Sequence, residues 1–310
     1  MKKSILKDTH TGNQPIRVLK HNLTHRLVEI DEELITDLIN KNLLQDKIIY
    51  NSADLSLLEG QMPCADENGY IHIHETFLSY LWIISFSLFV IYEEGLAIPS
   101  EHQHGVKSYK NQNIKIFNLA KELFQYGKSL IRSYSHWDKN YYPNPEYFDE
   151  DTEEGIYILK SNGLFVKAVN FILCHEIGHI ALQHIRQAKN RRVHGVDIKP
   201  LEKEADDYAI RLILSSDNSK AMEISIFIGL LSLLFFKPNL SGGKEHPDND
   251  ERILNYFNYI NPNEDHELWA LGAVALKLWN DQFDLRLSFT GNYNNYKEYF
   301  FYILEQTKKL

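Results

Sequence analysis

Cysteine is scarce in this 310-residue chain, where only Cys64 and Cys174 are present. Two cysteines cannot build the disulfide framework that stabilises small secreted domains. The N-terminal residues 1–8 are charged, and no apolar segment of the signal-peptide type follows them. We therefore expect a protein of the reducing cytoplasm that carries no secretory signal.

Positive charge is in deficit, since 33 Lys and Arg face 42 Asp and Glu and the net charge is −9. Nucleic-acid binding requires clustered Lys and Arg to neutralise phosphates, so we do not expect a nucleic-acid partner. The chain has one local basic cluster, which comprises Arg186, Lys189, Arg191, Arg192 and Lys199. We interpret it as a solvated loop, and the alternative is a docking surface for an acidic partner.

The chain also lacks internal repeats and low-complexity linkers, so we expect a single domain over residues 1–310. Hydrophobic residues make up 44% of it, which is enough for a sizeable core. Two stretches almost free of charge, 76–92 and 222–236, lie at or below the length that spans a bilayer. We interpret both as core helices of a soluble domain, and membrane association is the alternative.

Helical periodicity recurs along most of the chain, whereas strand patterns are confined to residues 47–50 and 70–74. Helices are predicted over 31–44, 76–92, 116–137, 163–188, 201–214, 222–236, 249–260, 264–281 and 293–308. These patterns predict a mostly helical α+β fold with a small N-terminal antiparallel sheet within about residues 45–75. Residues 138–155 are rich in Pro, Tyr, Asn and acids, which is typical of an irregular lid or connector.

Two histidines, His72 and His74, share one face of the second predicted strand, opposite Ile71 and Ile73. Such a pair could bind a metal ion. No third ligand is suggested nearby, so we interpret them as solvent-facing strand histidines.

Residues 175–179 read His-Glu-Ile-Gly-His and contain the pattern His-Glu-x-x-His. Each helical residue advances by about 100°, so His175 and His179 project about 40° apart and can share a metal ion. Zinc suits two imidazoles and a carboxylate, and the fourth position holds a water that Glu176 can deprotonate. His184 lies about 180° around the helix from His175, so we expect a packed or surface histidine that faces away from the metal.

The helix predicted over residues 201–214 offers several carboxylates as a third ligand. Its apolar face comprises Leu201, Ala205, Ala209, Leu212 and Ile213. Glu202 lies at the edge of this face, whereas Glu204 points about 200° away from Glu202, toward solvent. Because a carboxylate near the core is costly unless it is paired or metal-bound, we predict Glu202 as the third ligand. Asp206, one turn later, is predicted to accept a hydrogen bond from a ligating histidine, with a plain surface acid as the alternative.

A further candidate segment begins with His246-Pro247, just before the helix predicted over residues 249–260. We predict that His246 stabilises the oxyanion that forms when water attacks a peptide carbonyl. Arg252 is a second catalytic candidate, which can act in the same way or hold an acid in place. The alternative is that His-Pro only marks the start of the helix and has no role in catalysis.

Three motifs carry a family resemblance: His-Glu-x-x-His at 175–179, Glu-x-x-Ala-Asp at 202–206, and His-Pro-x-x-x-x-Arg-Ile at 246–253. This layout resembles that of the glutamate-zincin peptidases and, more narrowly, the Lit family of phage-exclusion peptidases, over roughly residues 70–255. The resemblance implies a zincin-like metallopeptidase core in which His175 and His179 bind zinc and Glu176 is the catalytic base. Gly178 departs from the family pattern, in which a serine is expected, and this small change should leave metal binding intact.

The resemblance also implies a biological role. It suggests an endopeptidase that stays latent until a phage component activates it and then cleaves elongation factor Tu. The first 45 and last 55 residues carry no motif of this family, so the activator and exact substrate stay open. One alternative is a non-catalytic zinc scaffold that binds a phage or host factor, although an aligned Glu176 argues against it. The other is a membrane-associated zinc peptidase.

Overall fold

The computed structural model describes residues 11–60, 62–103, 111–194, 196–291 and 293–308. This part of the chain is mostly helical and includes one three-stranded sheet. Its helices are α1 Lys20–Ile30, α2 Glu32–Asn40, α3 Glu75–Tyr92, α4 Ile98–Gln103, α5 Ile114–Arg132, α6 Glu153–Ala181, α7 His184–Val193, α8 Lys199–Ser216, α9 Lys220–Ser232, α10 Asn249–Ile260, α11 Glu267–Phe283 and α12 Tyr296–Thr307. Its strands are β1 Ile48–Asn51, β2 Cys64–Ala65 and β3 Ile71–His74.

The 29-residue helix α6 lies at the centre of the fold, packed against α1, α3, α8 and α9. It begins ten residues before the predicted residue 163. The Thr152 side chain caps it by accepting a hydrogen bond from the Gly155 amide at 3.0 Å, and Glu153 and Glu154 follow in the first turn. Both features favour a helix N-terminus. The long buried helix carries the His-Glu-x-x-His segment into the interior.

Helix α6 ends at Ala181, and the continuous helix predicted to residue 188 is wrong. Gln183 adopts the left-handed conformation with φ 58°, and a new helix, α7, starts at His184. Positive φ is uncommon outside glycine, and no glycine or proline marks this point in the sequence. The basic cluster is therefore not a loop. Four of its members lie on α7, namely Arg186, Lys189, Arg191 and Arg192, and Lys199 begins α8.

The sheet has the strand order β1-β3-β2 and is mixed, so the prediction of an antiparallel sheet is only partly right. Ile71 of β3 pairs with Ile48 of β1 in parallel, whereas His72 pairs with Cys64 of β2 in antiparallel orientation. Neighbouring parallel strands need a crossover connection. Here the connection contains β2 itself, and β3 then enters between the two earlier strands.

The two histidines of β3 have different environments, and the prediction that both face solvent is wrong for His74. The Nε2 of His72 lies 2.9 Å from Asp66 Oδ2 at a partly exposed site. His74 is only 2% exposed, and its Nδ1 accepts a hydrogen bond from the Thr76 amide at 3.1 Å. His74 therefore caps the start of α3, which follows the strand without a loop.

The two long apolar stretches form core helices, as α3 and as α9 with the 3₁₀ turn Leu233–Phe236. Two described helical segments, Glu75–Ser100 and Glu153–Ala181, are long and apolar enough to cross a membrane. However, 67% and 72% of their most apolar windows are buried within the fold. A helix that is apolar on all sides is typical of a protein core, and this burial is consistent with a soluble protein.

The predicted irregular segment is present, with no helix or strand described over residues 133–152. The Tyr142 ring stacks on Tyr126 of α5, with ring centroids 5.2 Å apart. Glu146 pairs with Lys139 at 2.7 Å. The Tyr142 ring holds the segment against α5, and the Glu146–Lys139 pair links two positions within the segment, which favours a connector over a lid.

Candidate active site

The close approach of α6 and α8 builds the site. A Cβ atom added at Gly178 would lie 3.2 Å from Ala205 Cα and 3.3 Å from Tyr208 Cβ, so the two backbones nearly touch. Of the predicted apolar face of α8, Leu201, Ala205, Ala209 and Ile213 are buried and Leu212 is half-buried. This packing brings the first turn of α8 opposite the two histidines of α6.

His175, His179 and Glu202 converge on one point. Their potential ligand atoms all lie within 4.8 Å of one another, and among the described residues they form the group placed to hold a metal ion. The two Nε2 atoms are 3.0 Å apart. Glu202 Oε2 lies 3.4 Å from His175 Nε2, and its Oε1 lies 3.5 Å from His179 Nε2. Two ligands about 2.0–2.1 Å from a tetrahedral zinc ion would be roughly 3.3 Å apart, so this donor set fits such an ion.

Asp206 fixes the orientation of His175. The Nδ1 of His175 lies 2.9 Å from Asp206 Oδ1, which leaves Nε2 directed at the point shared with His179. Burial lowers the pKa of His175, but hydrogen bonds to Asp206 and Glu202 outweigh it and raise the pKa to about 10. The structure thus places Asp206 behind the histidine, where sequence reasoning expected it, and the surface-acid alternative does not fit a residue 3% exposed.

Arg252 lies behind the site and not in it. Its guanidinium donates two hydrogen bonds to Asp206, from Nε to Oδ2 and from Nη2 to Oδ1, each 2.6 Å long. Although burial raises the pKa of Asp206, the charge of Arg252 and the bond to His175 hold it well below its ordinary value. Arg252 was predicted either to stabilise the oxyanion or to hold an acid in place, and this position allows the second role.

Glu176 points into the same region. Its Oε2 accepts a hydrogen bond of 2.8 Å from the backbone amide of Ala65, in the edge strand β2. The side chain is 7% exposed, and burial raises the pKa of the Glu176 carboxyl despite the neighbouring His175 and His179. A raised pKa favours service as a general base near neutral pH. Nothing in the sequence indicated the contact with Ala65.

His246 stands at the outer edge of the site. Its Nδ1 lies 3.0 Å from Glu202 Oε2, and about half of its side chain is exposed. Gly242 makes room for this loop, since a Cβ there would lie 2.1 Å from the His246 carbonyl oxygen. Burial raises the pKa of Glu202, but bonds from His175, His179 and His246 together hold it far below its ordinary value.

His184 does not face away from the site, because the break at Gln183 turns it back. It is 1% exposed, and its Nδ1 lies 3.2 Å from His179 Nδ1. Its Nε2 lies 3.1 Å from Glu204 Oε2. Glu204 is largely exposed, as predicted, but it is not without a partner. Sequence reasoning missed this contact because it treated residues 175–184 as one straight helix.

A cavity of about 450 Å³ opens over the converging side chains. It is lined by Met62, Pro63, Cys64, Ala65, His175, Glu176, His179, His184, Ile185, Ala188, Arg192, Ile198, Leu201, Glu202 and His246. A second cavity of about 370 Å³ also includes His179 and Ile185, together with Arg186 and Lys189 of α7. The basic helix α7 therefore borders both cavities.

Comparisons with curated proteins and with solved structures gave no match. The sequence profile described as Peptidase U49 matches residues 71–272, which is more than half of the chain. The matched region contains α6 and α8 and every histidine and carboxylate described above as part of the site. It supports the predicted kinship with Lit-type peptidases. The chain therefore belongs to the Peptidase U49 family.

Proposed function

We propose that this peptidase is a zinc-dependent endopeptidase with a zincin-like core. The observation that carries the proposal is the convergence of His175, His179 and Glu202 at separations suited to one zinc ion, with Glu176 beside them. When bound, a zinc ion polarises a carbonyl and acidifies water. The two imidazole nitrogens and the carboxylate would hold it.

The protein groups have separate roles in peptide hydrolysis. Glu176 takes a proton from the attacking water and passes it to the leaving amine, so the peptide C–N bond breaks with a carboxylate and an amine as products. His246 donates a hydrogen bond to the oxyanion of the tetrahedral intermediate from the open side of the cavity. Asp206, held by Arg252, keeps the His175 ring in place.

We further propose a role in phage defence, on the basis of the resemblance to Lit-type peptidases. In this role the enzyme stays latent in the cytoplasm until a phage component activates it. It then cleaves elongation factor Tu and halts translation. We also propose that residues 1–310 form a single domain.

Two other functions use the same site. A non-catalytic zinc scaffold would need the three ligands but not a buried carboxylate of raised pKa, so Glu176 favours catalysis. A membrane-associated peptidase would need apolar helix surface that faces lipid, whereas most of the apolar windows of α3 and α6 are buried.

The test incubates the purified protein with elongation factor Tu, with and without phage lysate, beside a Glu176→Gln variant. We expect cleavage only with lysate, and its loss in the variant and after chelation. Because glutamine keeps the shape of the side chain but cannot accept the proton, the variant should retain stoichiometric zinc.

The outcomes separate the parts of the proposal. Proteolysis retained by Glu176→Gln would reject this residue as the base. Zinc binding without cleavage of elongation factor Tu under any condition would reject that substrate and leave a zinc site. A wild-type protein that binds no divalent ion would reject the metallopeptidase assignment.

A further inference from the structure

We propose that His184 is a positioning residue that orients the ring of the metal ligand His179, and that Glu204 in turn fixes His184. The inference rests on the proposed metallopeptidase function and extends it to two residues outside the His-Glu-x-x-His pattern. It is carried by the two contacts that join His179 of α6, His184 of α7 and Glu204 of α8.

The two nitrogens of the His179 ring face different neighbours. Its Nε2 faces His175 Nε2 at 3.0 Å and Glu202 Oε1 at 3.5 Å. Its Nδ1, on the other side of the ring, lies 3.2 Å from His184 Nδ1. His184 therefore touches the nitrogen that does not face the metal position, and it is not a fourth ligand.

Metal binding at His179 would also fix where the protons lie on the two rings. A metal at Nε2 of His179 takes the lone pair there, so a neutral ring carries its proton on Nδ1. That N–H needs an acceptor, and the nearby atom is Nδ1 of His184. His184 must then carry its own proton on Nε2, where it donates to Glu204 Oε2 at 3.1 Å. Every donor in this series has an acceptor.

The two ligating histidines are thus held from behind in different ways. His175 has a buried carboxylate, since Asp206 accepts from its Nδ1 directly. His179 instead has a buried imidazole backed by a carboxylate whose side chain is 62% exposed. Partners of this kind fix the tautomer and ring orientation of a ligand, and their loss typically weakens metal binding about 10- to 100-fold.

The fold supplies this contact through the helix break. Gln183, in its left-handed conformation, turns the chain so that the first residue of α7 points back at α6. His184 is the buried residue of α7, whose remaining side chains are exposed or half-buried. The geometry therefore assigns α7 a specific attachment to the metal site.

The test compares two variants of similar size, His184→Leu and His184→Asn, by competition of the apo-protein with a chromophoric zinc chelator. Leucine fills the space but offers no acceptor, so we expect zinc affinity to fall about 10- to 100-fold. Asparagine can place its carbonyl oxygen near the position of Nδ1, so it should stay within about threefold of wild type. His194→Leu, an exposed histidine at the end of the same helix, is the control and should leave zinc affinity unchanged.

Wild-type zinc affinity in His184→Leu would overturn the proposal, and so would equal loss in the leucine and asparagine variants. Thermal unfolding of each apo-protein shows whether it has folded. If His184→Leu does not fold, substitutions of the exposed Glu204 provide the test. Glu204→Ala should weaken zinc binding several-fold, whereas Glu204→Gln should not. Equal zinc affinities of these two variants would overturn the proposal. A wild-type protein that binds no zinc would reject the proposed function together with this inference.

Discussion

Glu202 contacts three histidines of the candidate site. One oxygen faces His175 and His246, the other faces His179, and only 15% of the side chain is exposed. These contacts hold its pKa far below the ordinary value, which favours the charged form of the carboxylate. A charged carboxylate in this position is stabilised by the three imidazoles around it. It supplies the negative charge that a divalent ion at this point would need.

Removal of this carboxylate should therefore abolish stable metal binding. We expect Glu202→Ala to lower zinc affinity by more than about 100-fold, which exceeds the loss typical of residues behind the ligands. Zinc content after dialysis and chelator competition measure it. The control is Asp207→Ala on the same helix, where the carboxylate instead accepts from Asn255 at 2.7 Å. Undiminished zinc content in Glu202→Ala would exclude Glu202 as a ligand.

At the scale of secondary-structure elements, the contact between α6 and α8 sets the spacing of the proposed metal ligands. Gly178 allows the two backbones to approach closely, because a Cβ atom at this residue would lie 3.2 Å from Ala205 Cα. The family resemblance places a serine at residue 178, and its Cβ would require α8 to give way by only a few tenths of an ångström. A branched side chain would require more. The proposed metal ligands on the two helices are thus coupled through backbone packing.

The same substitution at two glycines of α6 should therefore have opposite effects. Gly178→Leu should lower the free energy of unfolding by about 1–3 kcal/mol through overpacking, and should weaken zinc binding by displacing Glu202. Gly163→Leu, where an added Cβ meets nothing within 4 Å, should gain up to about 1 kcal/mol from helix propensity. Urea unfolding of both apo-proteins measures the difference. Equal stabilities would show that α6 and α8 are free to move apart.

At the scale of the whole molecule, Asp217 connects three helices around the core. Its Oδ2 accepts hydrogen bonds from Arg26 of α1 and Lys167 of α6, and its backbone ends α8. Although burial raises the pKa of Asp217, bonds from Lys167 and Ser219 outweigh this and lower it below the ordinary value. The folded state therefore favours the ionised form of this carboxyl.

This shift predicts a pH-dependent loss of stability. Because the folded pKa lies below the unfolded value of about 3.9, the contribution is full above that value and is lost as the pH falls toward the folded pKa. Asp217→Asn should lower the unfolding free energy by about 1 kcal/mol at pH 7, allowing for solvent screening, and the difference should shrink at pH 3. Urea unfolding at pH 7, 5 and 3 measures it, with Asp281→Asn in an exposed pair as the control. A difference that stays constant over this range would contradict the assignment.

Local patterns were sufficient to predict which residues of the candidate site share a helix face. His175 and His179 are four positions apart, which places both rings on one face wherever a helix forms. The apolar stripe of α8 sets Glu202 at its edge. The structure brings these residues together. Most helices were predicted within a few residues of their bounds for the same reason, since hydrophobic periodicity reports local burial.

Tertiary structure decided what no local pattern encodes. The parallel pairing of β1 with β3, the contact of Ala65 with Glu176 and the burial of His74 all depend on how distant segments pack. His184 depends on one left-handed residue, Gln183, in a segment without glycine or proline. The sequence by itself determined the donor groups and the helices that carry them, because side-chain chemistry and periodicity are local. Packing decided which groups stand behind those donors, because a contact between helices depends on the course of the chain between them.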